Sequence, residues 1–364
     1  SPYSIGVAQF PLNITATGPT DLDNVTLYYR WSPDNITWDS YPSLIKRIQT
    51  GEISLTGDDT FDLTYTVNQS ASFLTGTFRG GGNTPNSGHV RLYWVDSDTI
   101  GFDTQDATQK YVRWWVVEFD EAANAHVEHI NETLDAGTVN TDLSQAVNQT
   151  ESWIIYNGLV AAGSTWGADD HASVVFLDDD TITWTVSSSV SQVASAEVVW
   201  LPDSFVEHHE VNGWATATND LTLTHNFDNN RTILFSSSDD GSNLDPGEYA
   251  WWGNLTTPTN IRMTRTGTVA IDTISVFVVE LPYTVDVQRE FVQFSTTETQ
   301  KSLSINNVNT SSSFVIGFGG GFGDLPTSGG LSTETDDDTT TSTATLKFNS
   351  STEVGLERTD TGGG

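Results

Sequence analysis

The chain has 364 residues, no cysteine, and 14 Lys+Arg against 48 Asp+Glu, a formal net charge of −34 with an isoelectric point near 4.1. Missing thiols exclude a disulfide framework, a Cys-based zinc or iron–sulfur site and a thiol nucleophile. So acidic a field, with no Lys/Arg stripe, excludes nucleic acid and disfavours anionic membrane surfaces. The balance suits a protein kept soluble in high salt, as in a halophilic archaeal source, where charge repulsion is screened; an ordinary acidic secreted protein fits it as well. No apolar run reaches the roughly 18 residues of a membrane span. A start at Ser1 fits an exported chain whose leader was removed, and equally a fragment of a longer chain.

Taken in chain order, residues 1–40 stand apart. They open on the apolar extended stretch "YSIGVAQFPLNITA", with Ile5 and Val7 in one phase and Phe10, Leu12 and Ile14 in the other. That stretch has no local partner and is a candidate donor strand, although Pro11 removes a ladder donor and fits only an edge or a bulge. A strand, a turn and an aromatic strand follow in "NVTLYYRWSPDNITW". From residue 41 the signal is β throughout: short runs of Val, Ile, Thr and aromatics separated by Gly, Asn, Asp and Pro clusters, with no sustained 3.6-residue period.

These runs recur in one order, which divides the chain into units at 41–124, 125–204, 205–283 and 284–364. Each unit opens on an extended stretch ("LIKRIQ", "HVEHIN", "FVEHHE", "TVDVQR"), in which Val127, Val206 and Val285 share a position with an acidic residue after each. A polar triplet and a large apolar residue come next, in "NQSASF" (68–73), "NQTESW" (148–153), "NRTILF" (230–235) and "NTSSSF" (309–314). The residues closing these stretches, Phe73, Trp153, Leu234 or Phe235, and Phe314, read as core. A Gly/Asp/Asn loop and two further strands lead to an apolar closing strand that ends at Phe119, Leu201 and Leu281.

About six strands in about 80 residues, with a closing strand apolar on both faces, predict tandem antiparallel β-sandwiches of immunoglobulin-like or jelly-roll-like type, strung along a rod. The fourth unit reaches "EVGLER" and has no closing strand after it. A sandwich short of one strand exposes an unpaired edge that invites another chain. One reading is that residues 1–16 of one subunit complete the fourth unit of the next, head to tail and without closure; truncation of a longer chain and a fourth unit that closes differently are the others.

The strand pair "NVTLYYRWSPDNITW" resembles that of immunoglobulin-like domains in secreted archaeal and bacterial surface proteins, over that stretch alone. The tandem units resemble those of microbial surface fibres and virus tail fibres, including the "VVEF" closing strand. The resemblance implies a protein of the cell or virion surface that extends, displays or adheres; with the open fourth unit, the chain reads as a non-enzymatic structural protein that self-associates into a filament. A virus tail or spike fibre for host attachment and a glycan-binding adhesin module are the alternatives.

Ten triplets match the N-glycosylation pattern, beginning at Asn13, Asn24, Asn35, Asn68, Asn131, Asn148, Asn230, Asn254, Asn309 and Asn349. Asn68, Asn148, Asn230 and Asn309 fall just before a strand in each unit, where N-linked glycans would point into solvent and where Asn also serves as a turn former. The loop residues Asp239, Asp240, Asn243, Asp245 and Glu248 offer oxygen ligands that calcium could use, without the EF-hand pattern; no other cofactor is indicated. His129 and His208 hold equivalent positions, which favours a structural role. No nucleophile elbow, phosphate loop or dinucleotide fingerprint is present. Trp94, Trp166, Trp214, Trp251 and Trp252 lie in or beside polar strands, where they would serve either sugar stacking or packing.

Overall fold

In the computed structural model, the described residues are 44–82, 84–135, 137–160, 163, 170–187, 191–239, 251–265, 271–282, 285–290, 292, 298–317, 319–320 and 343–359. The chain divides into two compact units, Ser1–Ser40 and Tyr41–Gly364. The donor-strand residues Ile5, Val7, Phe10, Leu12 and Ile14, and the sequons at Asn13, Asn24 and Asn35, lie outside the described residues.

The protein is almost entirely antiparallel β-sheet. The first six strands are β1 (Ile45–Leu55), β2 (Asp59–Asp62), β3 (Ser72–Gly80), β4 (Arg91–Asp96), β5 (Thr99–Asp103) and β6 (Lys110–Phe119). They form two three-stranded sheets, ordered β1-β6-β3 and β2-β5-β4. The same pair of sheets returns in β7 (His126–Leu134), β8 (Gly137–Asp142), β9 (Ser152–Leu159), β10 (Ser173–Phe176), β11 (Thr181–Val186) and β12 (Gln192–Trp200), as β7-β12-β9 and β10-β11-β8. It returns again in β13 (Phe205–Trp214), β14 (Thr218–Thr222), β15 (Thr232–Asp239), β16 (Trp251–Thr257), β17 (Asn260–Arg265) and β18 (Ile271–Glu280). There the orders are β13-β18-β15 and β14-β17-β16, the latter extended by β20 (Gly319–Gly320). Among the described residues, the fourth set shows the second sheet alone: β19 (Gln300–Ser304), β22 (Glu353–Glu357) and β21 (Thr345–Ser350).

The pleat explains why the closing strands are apolar on both faces. In β6, Val112, Trp114 and Val116 join Leu55, Leu74, Leu92, Ile100 and Phe102 in the core between the two sheets of the first unit. Trp115, Val117 and Phe119, on the opposite face, belong instead to a larger core shared with the other units. β18 repeats this split: Ile274, Val276 and Val278 face inward, and Phe277 and Val279 face the shared core. A strand buried on both sides needs apolar residues in both phases. The unit connectors turn on Asn124 (φ 49°) and Asp203 (φ 66°), residue types that tolerate the left-handed region.

The units do not touch only their neighbours in sequence, as a rod would require. Between the first and second, Trp94 Nε1 and Leu74 N–H each donate to the Glu197 carboxylate at 2.8 Å. Between the second and third, Val174 N–H donates to Ser237 Oγ at 2.9 Å, and Trp153 stacks on Phe235. The third meets the fourth where β16 pairs with β20 and Val287 N–H donates to Asn230 O. The fourth then meets the first: Leu346 N–H donates to Thr77 Oγ1 at 3.0 Å, Arg79 pairs with Glu357 at 3.1 Å, and Phe73 meets Phe314 edge to face. Leu346 to Thr77 repeats the Val174 to Ser237 contact, so the contact order is cyclic: one to two, two to three, three to four, four to one.

Candidate functional site: the open sheet of the fourth unit

One hydrogen-bonded pair fixes the register of the opening stretches. Gln49 on β1 accepts from Tyr65 N–H and donates to Tyr65 O. Glu128 accepts from Ser144 N–H, and Glu207 from Thr224 N–H. In the fourth unit Gln288 makes the matching pair with Asn306, accepting from its N–H at 2.6 Å and donating to its carbonyl at 3.2 Å. Residues 285–290 therefore hold the place of the opening strand. Val287 is thus the counterpart of Val127 and Val206, which corrects the sequence alignment on Val285 by two residues. Arg289 then takes the position of His129: it donates to Thr232 O and Asn229 O, as His129 Nε2 bonds to Gln69 O.

The third strands start from a recurring turn. In the first three units β3, β9 and β15 follow a tight turn after Asn68, Asn148 and Asp228; in the fourth, residues 313–317 follow the same turn after Asn309. In the first three units the opening and third strands are held apart and hydrogen-bonded by the closing strand between them. In the fourth, among the described residues, no strand pairs with 285–290 or with 313–317.

Val285, Val287, Val292, Phe314, Val315 and Ile316 there are only partly buried, although they pack against the shared core. The sheet beneath is affected too. Leu346, Val354 and Leu356 each keep 8% exposure, while their first-unit counterparts Leu92, Ile100 and Phe102 have none. An apolar floor and two backbone edges that pair with no strand among the described residues make a slot one strand wide, of the kind that strand addition uses.

The sequon turn serves the backbone. Asn148 Oδ1 accepts from Thr150 N–H at 3.2 Å and from Thr150 Oγ1 at 2.9 Å; Asn309 does the same with Ser311, and Ser70 Oγ donates to Asn68 Oδ1. In the third unit the equivalent residue is Asp228, not Asn230. Thr232 Oγ1 donates to Asp228 O as Ser72 Oγ does to Asn68 O, and Asp228 N–H donates to Glu280 as Asn68 N–H does to Glu118. The large apolar residue there is consequently Ile233, buried like Phe73 and Trp153, with Leu234 and Phe235 buried as well. Asn68, Asn131, Asn148, Asn230, Asn254, Asn309 and Asn349 are all exposed.

Of the remaining candidates, Asp239 is buried and accepts from Ser187 Oγ at 2.6 Å across the second and third units. Asp240, Asn243, Asp245 and Glu248 lie outside the described residues. Among the described residues no group of three His, Asp or Glu is placed to hold a metal ion. Trp94, Trp214 and Trp251 are buried, Trp252 is half-buried, and Trp166 lies outside the described residues; the three buried rings are packing groups, with no face for a sugar.

His129 sits at the seam of the first and second units, where it meets Gln69 and Trp94, whereas His208 bonds within its own unit to Ser275. His129 is half-buried, which opposes its charge, but Glu197 at 3.3 Å, the Gln69 carbonyl and Glu128 together raise its pKa above the usual value. His208 has Phe277 against its ring, and burial followed by the charge of His209 lowers its pKa to about 4. The Glu197 cluster was not foreseen from sequence; a lone Glu in the closing strand "AEVVWL", where the other units have Trp115 and Phe277, was the available signal. No helix among the described residues is long and apolar enough to cross a membrane. No protein-family profile matches the chain, and no curated protein matches it.

Proposed function

We propose that the chain is a non-enzymatic structural protein of an extracellular surface, the repeating subunit of a glycosylated filament assembled head to tail by strand exchange. The observation that supports this reading is the slot between residues 285–290 and 313–317, where three other units carry a closing strand. Unpaired N–H and C=O groups beside apolar side chains are costly to leave open, and an extended strand satisfies both at once. An exchange in which each copy gives a strand to the next is heterologous, and it propagates when its rotation does not close. The exposed sequons fit a surface that carries glycans and hydrates the polymer. With a net charge of −34 per copy, approaching subunits repel one another, so assembly strengthens as salt rises.

The test is negative-stain imaging with sizing of the full chain beside a variant lacking residues 1–16. Filaments from the full chain and single particles from the shortened one are expected. Single particles from both, across a range of salt, would refute the reading.

A further inference from the structure

The slot has a defined sequence requirement, because three closing strands show what fills it. Set in register from the residue two before the inner tryptophan of β6, they read "VRWWVVEFD" (112–120), "ASAEVVWLP" (194–202) and "ISVFVVELP" (274–282). The stretch "YSIGVAQFP" at 3–11 follows the same pattern. Ser4 matches Ser195 and Ser275; Val7 matches Val116, Val198 and Val278; Phe10 matches Phe119, Leu201 and Leu281; Pro11 matches Pro202 and Pro282.

We infer that residues 3–10 of a second copy are the closing strand of the fourth unit, in the register that places Phe10 where Phe119, Leu201 and Leu281 stand in the other three. The inference rests on the assembly reading above and fixes its partner, its register and its boundary.

The register assigns every side chain a face. Tyr3, Ile5 and Val7 take the phase of Val112, Trp114 and Val116, which points into the unit's own core, and cover Leu346, Val354 and Leu356. Gly6, Ala8 and Phe10 take the phase of Trp115, Val117 and Phe119 and turn toward the shared core. Val117 lies between Ile48 and Phe73, and Val199 between Val127 and Trp153; the corresponding flanks of Ala8 are Val287 and Phe314. Gln9 falls where Glu118 and Glu280 accept from the N–H of Asn68 and Asp228, opposite Asn309.

Pro11 ceases to be an obstacle. Pro202 and Pro282 are separated by one residue from the ends of their closing strands, Trp200 and Glu280, where the ladder has ended and no donor is needed. Leu12 and Ile14, grouped with the donor strand on alternation alone, fall outside it.

The absence of cysteine makes a disulfide test clean. In the full chain, Ala8→Cys with Phe314→Cys is the in-register pair, and Ala8→Cys with Val287→Cys is an independent second pair should the loss of Phe314 disturb folding. Leu12→Cys with Phe314→Cys is the register-shifted control. Under mild oxidation both in-register pairs are expected to convert monomer into a covalent ladder of multimers on non-reducing gels, while the shifted pair stays monomeric, since a disulfide needs the two Cβ atoms within bonding reach.

A ladder from the Leu12 pair alone overturns the register and leaves the polymer reading standing. Cross-links confined to single chains overturn the second copy as donor, and the polymer reading with it. No cross-link from either in-register pair overturns the inference outright, even where the full chain forms filaments.

Discussion

Removing the Glu197 carboxylate tests whether the units are joined by a specific polar lock or only by apolar area. The side chain is buried, with 2% exposure, and collects Leu74 N–H and Trp94 Nε1 at 2.8 Å each from the first unit and His129 Nδ1 at 3.3 Å from its own. Glu197→Ala strands two buried donors, at about 1–3 kcal/mol apiece, and leaves the imidazole without its counter-ion. A loss of about 3–5 kcal/mol at the seam is therefore expected, in the range for breaking a buried charged pair. Urea unfolding followed by far-ultraviolet circular dichroism, with Trp94→Phe and the double variant completing a cycle, reads both the loss and the coupling. The coupling between Trp94 and Glu197 should be about 1 kcal/mol or more. Destabilisation under about 1 kcal/mol with no coupling would show that water replaces the carboxylate and that the seam holds by packing alone.

Four further outcomes follow from the geometry. His208, with its pKa lowered to about 4 from 6.5, is neutral in the fold and takes up a proton first in the unfolded chain; its contribution is complete above about pH 6.5 and is lost as pH falls through 4, up to about 3 kcal/mol. His208→Phe should flatten the acid limb of a stability–pH curve, and an unchanged limb contradicts the assignment. His129 has the opposite sign: its raised pKa stabilises below the unfolded value and fades as pH rises through the folded one, so His129→Gln should cost more at pH 5.5 than at pH 9 in paired melts. Gly158 has φ +91°, and a Cβ there would meet the Val90 carbonyl oxygen of the first unit; Gly158→Ala is expected to lose at least about 1–2 kcal/mol of stability in urea. Finally, Asp228→Ala should lower stability by about 0.5–2 kcal/mol through its lost turn contacts, while Asn230→Gln stays within about 0.5 kcal/mol; the reverse order would restore Asn230 as the equivalent turn residue.

The sheet architecture was legible because the closing strands carry both apolar phases, and only a strand covered on both sides needs them. Register was less legible where side chains of similar chemistry crowd together. Asn230-Arg231-Thr232 imitates the sequon turn of Asn68 and Asn148, yet Asp228 makes the bond to the closing-strand carboxylate. Val285 and Val287 are both apolar residues next to polar ones, and Gln288 pairing with Asn306 decides between them. The cyclic contact order left no trace in periodicity, since Thr77 and Leu346 are ordinary strand residues whose meeting depends on how successive sandwiches are turned. The tryptophans misled in the other direction, because a polar neighbourhood in sequence is what an alternating strand presents even when the ring itself faces the core.

The most direct test of strand exchange is light scattering on the full chain at high salt, with and without an excess of a free peptide of residues 1–16. The account predicts polymer alone and short, capped species with the peptide, while a peptide with Val7→Asp and Phe10→Asp leaves the polymer unchanged. A chain that stays monomeric at every salt and concentration, or a polymer indifferent to the native peptide, would contradict it.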